Sequence, residues 1–312
     1  MRLLRFFAGD GRVHLGLRQG EEVLDATVAA TQLWNEDWTT PLTLIAAGQS
    51  GLDRLAQLAA QVASDARLRQ EVMHPYPGLR LDAPLRDSPK LLALAGNYRK
   101  HVTESGYAEV KESAAITPQV FSKPVSTAIN APGAPVRLHP ENVFVDWEIE
   151  LAVIIGRRGR NIPSSEAMSY VFGYSILNDI SERKFNSRMP NREIRETDPF
   201  FDWLMGKWFD GSAPFGPEIV SADEIADPHN LSIRLWVNDQ LMQDANTSEM
   251  IFRIPEVVSY ISGVMTIEPG DILSMGTPAG VGMARGVSLS PGDVMRGEIE
   301  GLGVLETPVV AG

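Results

Sequence analysis

The first apolar positions come in short runs. Residues 3–7 (LLRFF) and 13–17 (VHLGL) read as strands, with the turn signal AGDG between them. Leu and Ala then recur at helical spacing through TTPLTLIAAGQSGLDRLAQLAAQVASDARLRQE, with a break near Gly48 and Gly51. HPYPGLRLDAPLRDSPK is rich in proline and turn residues, which sets a boundary near residue 85. Residues 1–85 are thus expected to form a small N-terminal α/β subdomain and residues 86–312 the main domain.

From Leu91 the pattern changes to strands separated by turns. KLLALAG reads as a strand ending at Gly96, and NYRKHVTES as a short helix capped by Asn97. FVDWEIELAVIIG (144–156) reads as one strand, and SSEAMSYVFGYSILNDIS as a short helix running into another. LSIRLWVNDQLMQDA is a hairpin turning at Asn238-Asp239, and IPEVVSYISGVM is a helix with Pro255 in its first turn. EPGDILSMGTP and SPGDVMRGEIEGLGVLETPVV each enter a strand from a Pro-Gly-Asp turn. Many short strands with few helices predict an α+β, mostly β core, a mixed β-roll or distorted barrel rather than an alternating βαβ sheet.

Charge and composition narrow the function. A net charge of −12 argues against a basic nucleic-acid interface. The absence of cysteine excludes disulfides, thiolate catalysis and cysteine-ligated zinc. Nothing approaches the roughly 20 apolar residues of a membrane span, and the first residues lack the apolar run of a signal peptide. A cytoplasmic protein is expected.

The unusual chemistry lies in FVDWEIELAVIIG. In an extended strand Asp146, Glu148 and Glu150 share one face, where like charges repel. They can line the solvent side of an edge strand. Alternatively, because residues 151–155 are all apolar, they open a buried strand and need a counter-charge. No Lys or Arg alternates with them, and hard cations such as Mg2+, Mn2+ or Ca2+ prefer carboxylate oxygens. A third ligand is on offer in Asp179, at the polar end of YSILNDISER, although Asn-Asp there can equally begin a turn.

Other residues carry two readings each. His101 and Glu104 are three apart in a helix-compatible stretch, either an inert surface pair or a carboxylate-oriented base poised near neutral pH. Lys207 lies among aromatics and can extend its ammonium to water or turn inward. GTPAGVG (276–282) is not a phosphate loop, because its glycines do not fit G-x-G-x-x-G and no Lys-Ser or Lys-Thr follows.

NYRKHVTE, DWEIELAVIIG, NDISER, GK at 206–207 and GDILSMGTPAGVG follow one another in this order. Together they resemble the fumarylacetoacetate hydrolase family over roughly residues 88 to 312. The resemblance implies a mixed β-roll, a homodimer, and one divalent metal, Mg2+ or Mn2+ (Ca2+ as a substitute in crystals), on Glu148, Glu150 and Asp179. Asp146 is not among the ligands it supplies. It also implies a His101–Glu104 dyad that activates water, with residues 105–117 as a lid over substrate, and Lys207 on the developing enolate. Arg183 would contact substrate or the metal's acids, while Thr277, Gly276 and Tyr98, with Asn186 nearby, would bind substrate. Such parts suit a small 2-oxo acid chelating the cation. The expected reaction is hydrolytic C–C cleavage of a 2,4-dioxo acid to pyruvate and a carboxylic acid. The alternatives are oxaloacetate-type decarboxylation or isomerisation and tautomerisation of unsaturated 2-oxo diacids. A binding module without catalysis would require erosion of the dyad or the triad, and neither is eroded.

Overall fold

The computed structural model describes residues 1–104, 106, 112–189 and 191–312. Most strands are short because turn residues interrupt the apolar runs, and they join one large mixed sheet. Its path runs from Met73–Pro75 through Glu22–Asp25, Val13–Gln19 and Arg2–Phe7 to Ala213–Ser221. It continues through Val171–Asn178, Ile149–Ile155, Ile272–Ser274 and Leu91–Ala95 to the edge strand Gln119–Ser122. Among the described residues the path stays open at both ends, which makes it a roll. A second, five-stranded sheet contains the predicted hairpin Ser232–Val237/Gln240–Asn246. Asn238 at its turn takes the left-handed conformation, φ 54°.

The first residues are woven into this sheet. Arg2–Phe7 pairs with Ala213–Ser221, placing Leu3 opposite Ile219. One hydrophobic cluster joins Leu3, Leu15, Leu55 and Leu58 to Ala152, Ile154, Phe215 and Ile272. The long helical pattern resolves into Leu42–Ala46, Gln49–Ser64 and Ala66–Val72. Gly48 breaks it at φ 59°, whereas Gly51 lies inside the second helix, where a Cβ would come 2.3 Å from the Leu44 carbonyl.

The predicted strand 144–156 is two strands. Val145–Asp146 pairs with Ser181–Glu182, and Ile149–Ile155 lies between Val171–Asn178 and Ile272–Ser274. At the break side chains replace the ladder: the Glu148 N–H donates to Asn178 Oδ1, and the Ile149 N–H to Gln243 Oε1. Asn97 is not the predicted helix cap. It is buried, donating to the Phe252 and Met275 carbonyls and accepting from the Phe252 N–H, so it ties two loops together behind helix Arg99–Glu104.

Strand direction sets the location of the chemistry. Val171–Asn178 and Ile272–Ser274 run antiparallel to Ile149–Ile155, and Leu91–Ala95 runs parallel to Ile272–Ser274. Three strands therefore end at the edge where the fourth begins, and the residues that follow or precede them converge there.

Candidate active site

Glu148 and Glu150 come from the start of Ile149–Ile155, and Asp179 follows the end of Val171–Asn178. Each offers an oxygen, and these oxygens lie within 4.8 Å of one another, all on buried side chains. The Asp179 N–H donates to the Glu148 carbonyl at 2.8 Å, locking the two strand ends in register. Such an all-oxygen set fits a hard divalent cation.

The counter-charges arrive from distant parts of the chain. Lys207 Nζ donates to Glu148 Oε2 at 2.5 Å and to Asp179 Oδ2 at 2.7 Å. Arg183 donates from Nη2 to Glu148 Oε1 at 2.5 Å and from Nε to Asp146 Oδ2 at 2.9 Å. Lys123, fully buried and not singled out in the sequence, donates to Asp179 Oδ1 at 2.6 Å and to the Lys207 carbonyl. Asp146 stands outside the triad, as expected of a residue that is not a ligand: it accepts from Arg183 and from the Gly282 and Met283 N–H groups, an anchor for the 276–283 loop.

Among the described residues Glu150 has no Lys, Arg or His within ion-pair distance. Its described donors are Ser274 Oγ at 2.5 Å and the Gly276 N–H at 3.0 Å. Burial, with the charges of Asp179 and Glu148, pushes its carboxyl well above the usual range. Glu148 goes the other way. Burial raises it, but Arg183 and Lys207 outweigh burial and hold it well below that range. Burial likewise pulls the Lys123 ammonium down against the attraction of Asp179, whereas Lys207 stays above its ordinary value because Asp179 and Glu148 more than offset its burial. One unpaired buried carboxylate beside two paired ones is what a cation would complete, so the residues fit the metal.

His101 lies on helix Arg99–Glu104. Its Nδ1 meets Glu104 Oε1 at 2.9 Å, and its Nε2 lies 4.0 Å from Glu148 Oε1. Both Glu104 oxygens accept from the Gly280 N–H at 3.0 and 2.9 Å, so the loop after Ile272–Ser274 fixes the carboxylate that orients the imidazole. The dyad and the triad therefore share one site. The lid expected over 105–117 falls partly on residues 105 and 107–111, which lie outside the described residues.

The expected substrate contacts divide. Gly276, at φ 82°, turns its N–H onto Glu150, and a Cβ there would come 2.8 Å from Asn97 Cβ. Thr277 is buried with its hydroxyl engaged, donating to the Ile149 carbonyl and accepting from Gln243 Nε2. Tyr98 is buried in the core; among the described residues its hydroxyl has no hydrogen-bond partner, and burial with nearby Glu150 raises it. Arg183 binds the acids. Asn186 sits in the 3-10 turn Phe185–Arg188. A cavity of about 1010 Å3 opens beside strand Gln119–Ser122, lined by Phe200, Tyr260 and Val264; it shares Lys123 with the site but none of the triad.

Sequence reasoning missed Lys123 and Gln243. Gln243 bridges Thr277, Pro278 and the Ile149 N–H, and its partners lie 34 to 94 residues away. No local spacing could have marked either residue.

Comparison with known proteins gives a consistent picture. The model described as "Fumarylacetoacetate (FAA) hydrolase C-terminal" matches residues 90–310. An oxaloacetate tautomerase, mitochondrial, from Xenopus laevis is 34% identical over 315 residues, covering 99% of this chain and 90% of the relative. The crystal structure of maleylpyruvate hydrolase from Sphingobium sp. SYK-6 in complex with manganese(II) and pyruvate superposes at TM-score 0.73, with 30% identity and full coverage of both chains. The fumarylacetoacetate hydrolase of Exiguobacterium antarcticum gives 0.77 at 30% identity, again with full coverage of both.

Proposed function

The chain belongs to the fumarylacetoacetate hydrolase family, and from that premise we propose that it is a divalent-metal enzyme moving protons at the enolisable carbon of a small 2-oxo acid. One observation carries this reading. His101 Nε2, oriented through Nδ1 by Glu104, and the Lys207 ammonium both reach Glu148, so a base and a cation border the same triad. A cation on Glu148, Glu150 and Asp179 would supply Lewis-acid polarisation of the 2-oxo group. His101 takes a proton from C3 as the C3–H electron pair moves into the C2–C3 bond and the carbonyl pair onto oxygen. Lys207 donates to that oxygen, and His101, steadied by Glu104, returns the proton to oxygen or carbon.

Within this reading the leading reaction is keto–enol tautomerisation of an oxaloacetate-type 2-oxo diacid. Its support is a relative named for that reaction that aligns over nearly the whole chain. Hydrolytic C–C cleavage of a 2,4-dioxo acid, the reaction expected from the sequence, is the second reading. The solved maleylpyruvate hydrolase with pyruvate favours it, as does a dyad able to activate water. A homodimer and a small 2-oxo acid partner complete the proposal. No described helix is long and apolar enough to cross a membrane. A cytoplasmic location is kept as part of the proposal, beside a frog relative named mitochondrial.

Freshly dissolved enol-oxaloacetate and a series of acylpyruvates, each followed by ultraviolet absorbance with Mg2+ and with chelator, test both readings. His101→Ala should lower the rate by roughly a hundredfold to ten-thousandfold, the usual contribution of a positioned acid–base group, while Mn2+ binding persists. Metal-dependent loss of enol without acylpyruvate cleavage selects tautomerisation. Indifference of both substrate classes to the metal-loaded protein would end the proposal.

A further inference from the structure

Lys207 is buried, and an ammonium has three N–H donors. Two meet Glu148 and Asp179, and among the described residues no further oxygen accepts from Nζ. Two rings also lie close to it. Nζ lies over Phe121 at 5.2 Å from the ring centroid and over Trp203 at 5.7 Å. The rings meet edge to face, 5.0 Å apart at 72°, forming a corner. Phe200 stacks on Trp203 at 6.0 Å and 28°.

The backbone explains the corner. Trp203 lies in the last turn of helix Asp198–Met205, and Lys207 follows two residues beyond its end, in the turn that its N–H closes onto the Leu204 carbonyl. Gly206 lets the chain pass close to the neighbouring segment: a Cβ there would come 2.2 Å from the Glu182 carbonyl. Phe121 arrives from the edge strand Gln119–Ser122.

The type of wall matters. Carboxylates in place of the rings would take up the third N–H, and an aliphatic wall would leave the charge poorly solvated. A π face attracts the cation without consuming a donor. We propose that Trp203, braced by Phe121, is a positioning residue, whose ring holds the Lys207 ammonium so that one N–H stays available to the substrate's 2-oxo oxygen. This rests on the reading above, in which that oxygen gains charge beside Lys207. It adds a determinant, on helix Asp198–Met205, that the triad and dyad do not contain.

Two measurements on the full chain test it, using Trp203→Phe, which keeps a ring, and Trp203→Leu, which keeps an apolar side chain. The first needs no ligand. In lysine-13C protein the ε-methylene protons of Lys207, assigned by their loss in Lys207→Met, should be displaced upfield by the rings. The displacement should persist in Trp203→Phe and shrink in Trp203→Leu. The second is calorimetric binding of oxalate, a planar stand-in for the enolate, with Mg2+ present. Affinity should fall about threefold to tenfold in Trp203→Leu and stay within about twofold in Trp203→Phe, as expected for loss of one cation–π contact. Mn2+ affinity and melting temperature should match in the two variants. Equal oxalate affinity in both variants, a fall in both, or a Lys207 signal without ring displacement would overturn the assignment. Oxalate ignored by the wild type, with the ring displacement present, would instead remove the 2-oxo acid reading and leave the contact between ring and ammonium standing.

Discussion

Glu148 and Glu150 lie two residues apart, yet their electrostatic surroundings are opposite. Glu148 is clasped by Arg183 and Lys207, while among the described residues Glu150 is met by one hydroxyl and one N–H. Removing a charge should therefore have opposite effects at the two positions. Glu150→Gln should raise the melting temperature of the metal-free protein, because folding no longer has to bury and neutralise a carboxyl that has no counter-charge, and should weaken Mn2+ binding at least about tenfold. Glu148→Gln leaves buried Arg183 and Lys207 short of a partner and should cost about 3–5 kcal/mol in a denaturant titration. Equal effects of the two substitutions would contradict the charge assignment. The sequence already displayed the acids, because an E-x-E at the mouth of an apolar run is unusual, and the ordered motifs added Asp179, His101, Glu104, Lys207 and Arg183. Lys123 was invisible: in FSKPVS it resembles any surface lysine, and only folding brings it within 2.6 Å of Asp179, 56 residues on.

Helix Ile254–Val264 illustrates how an element depends on a residue outside it. The Ile254 N–H donates to His229 Nε2 at 3.1 Å, which requires that nitrogen to be unprotonated. Burial, then the nearby Arg253, lowers the pKa of His229, and the positive end of the helix dipole acts in the same sense. The folded state thus binds this proton less readily than the unfolded chain. The contribution is fully present above the unfolded value of about 6.5 and is lost as pH falls below it and through the folded pKa. Thermal melts between pH 7 and pH 5.5 should fall more steeply for the wild type than for His229→Gln, and parallel slopes would refute the linkage. At this level the hairpin at Asn238-Asp239 and the Pro255 helix were legible, since local turn and cap chemistry dictates them. The break at Trp147–Glu148 was not, because the groups that replace the ladder, Asn178 and Gln243, come from other strands.

Across the molecule, the first residues share both a sheet and a hydrophobic cluster with the strands that carry the site. Calorimetry should show one unfolding transition, and Leu3→Ala should lower stability of the whole chain by about 2–5 kcal/mol, the range for a buried leucine. Two separated transitions would instead make residues 1–85 an independent unit. The α+β, strand-rich class was readable because turn signals cut the apolar pattern into short runs. The order of strands was not, since the pairing of Arg2–Phe7 with Ala213–Ser221 spans more than 200 residues. The account as a whole stands on a cation held by Glu148, Glu150 and Asp179 that receives a 2-oxo acid. Electron paramagnetic resonance of a Mn2+ titration, repeated with 17O-labelled oxalate, tests this most directly. The account predicts one Mn2+ per chain, line broadening by the labelled ligand, and loss of both in Glu150→Gln. Stoichiometric Mn2+ binding that survives Glu150→Gln, or lines that the label leaves unchanged, would contradict it.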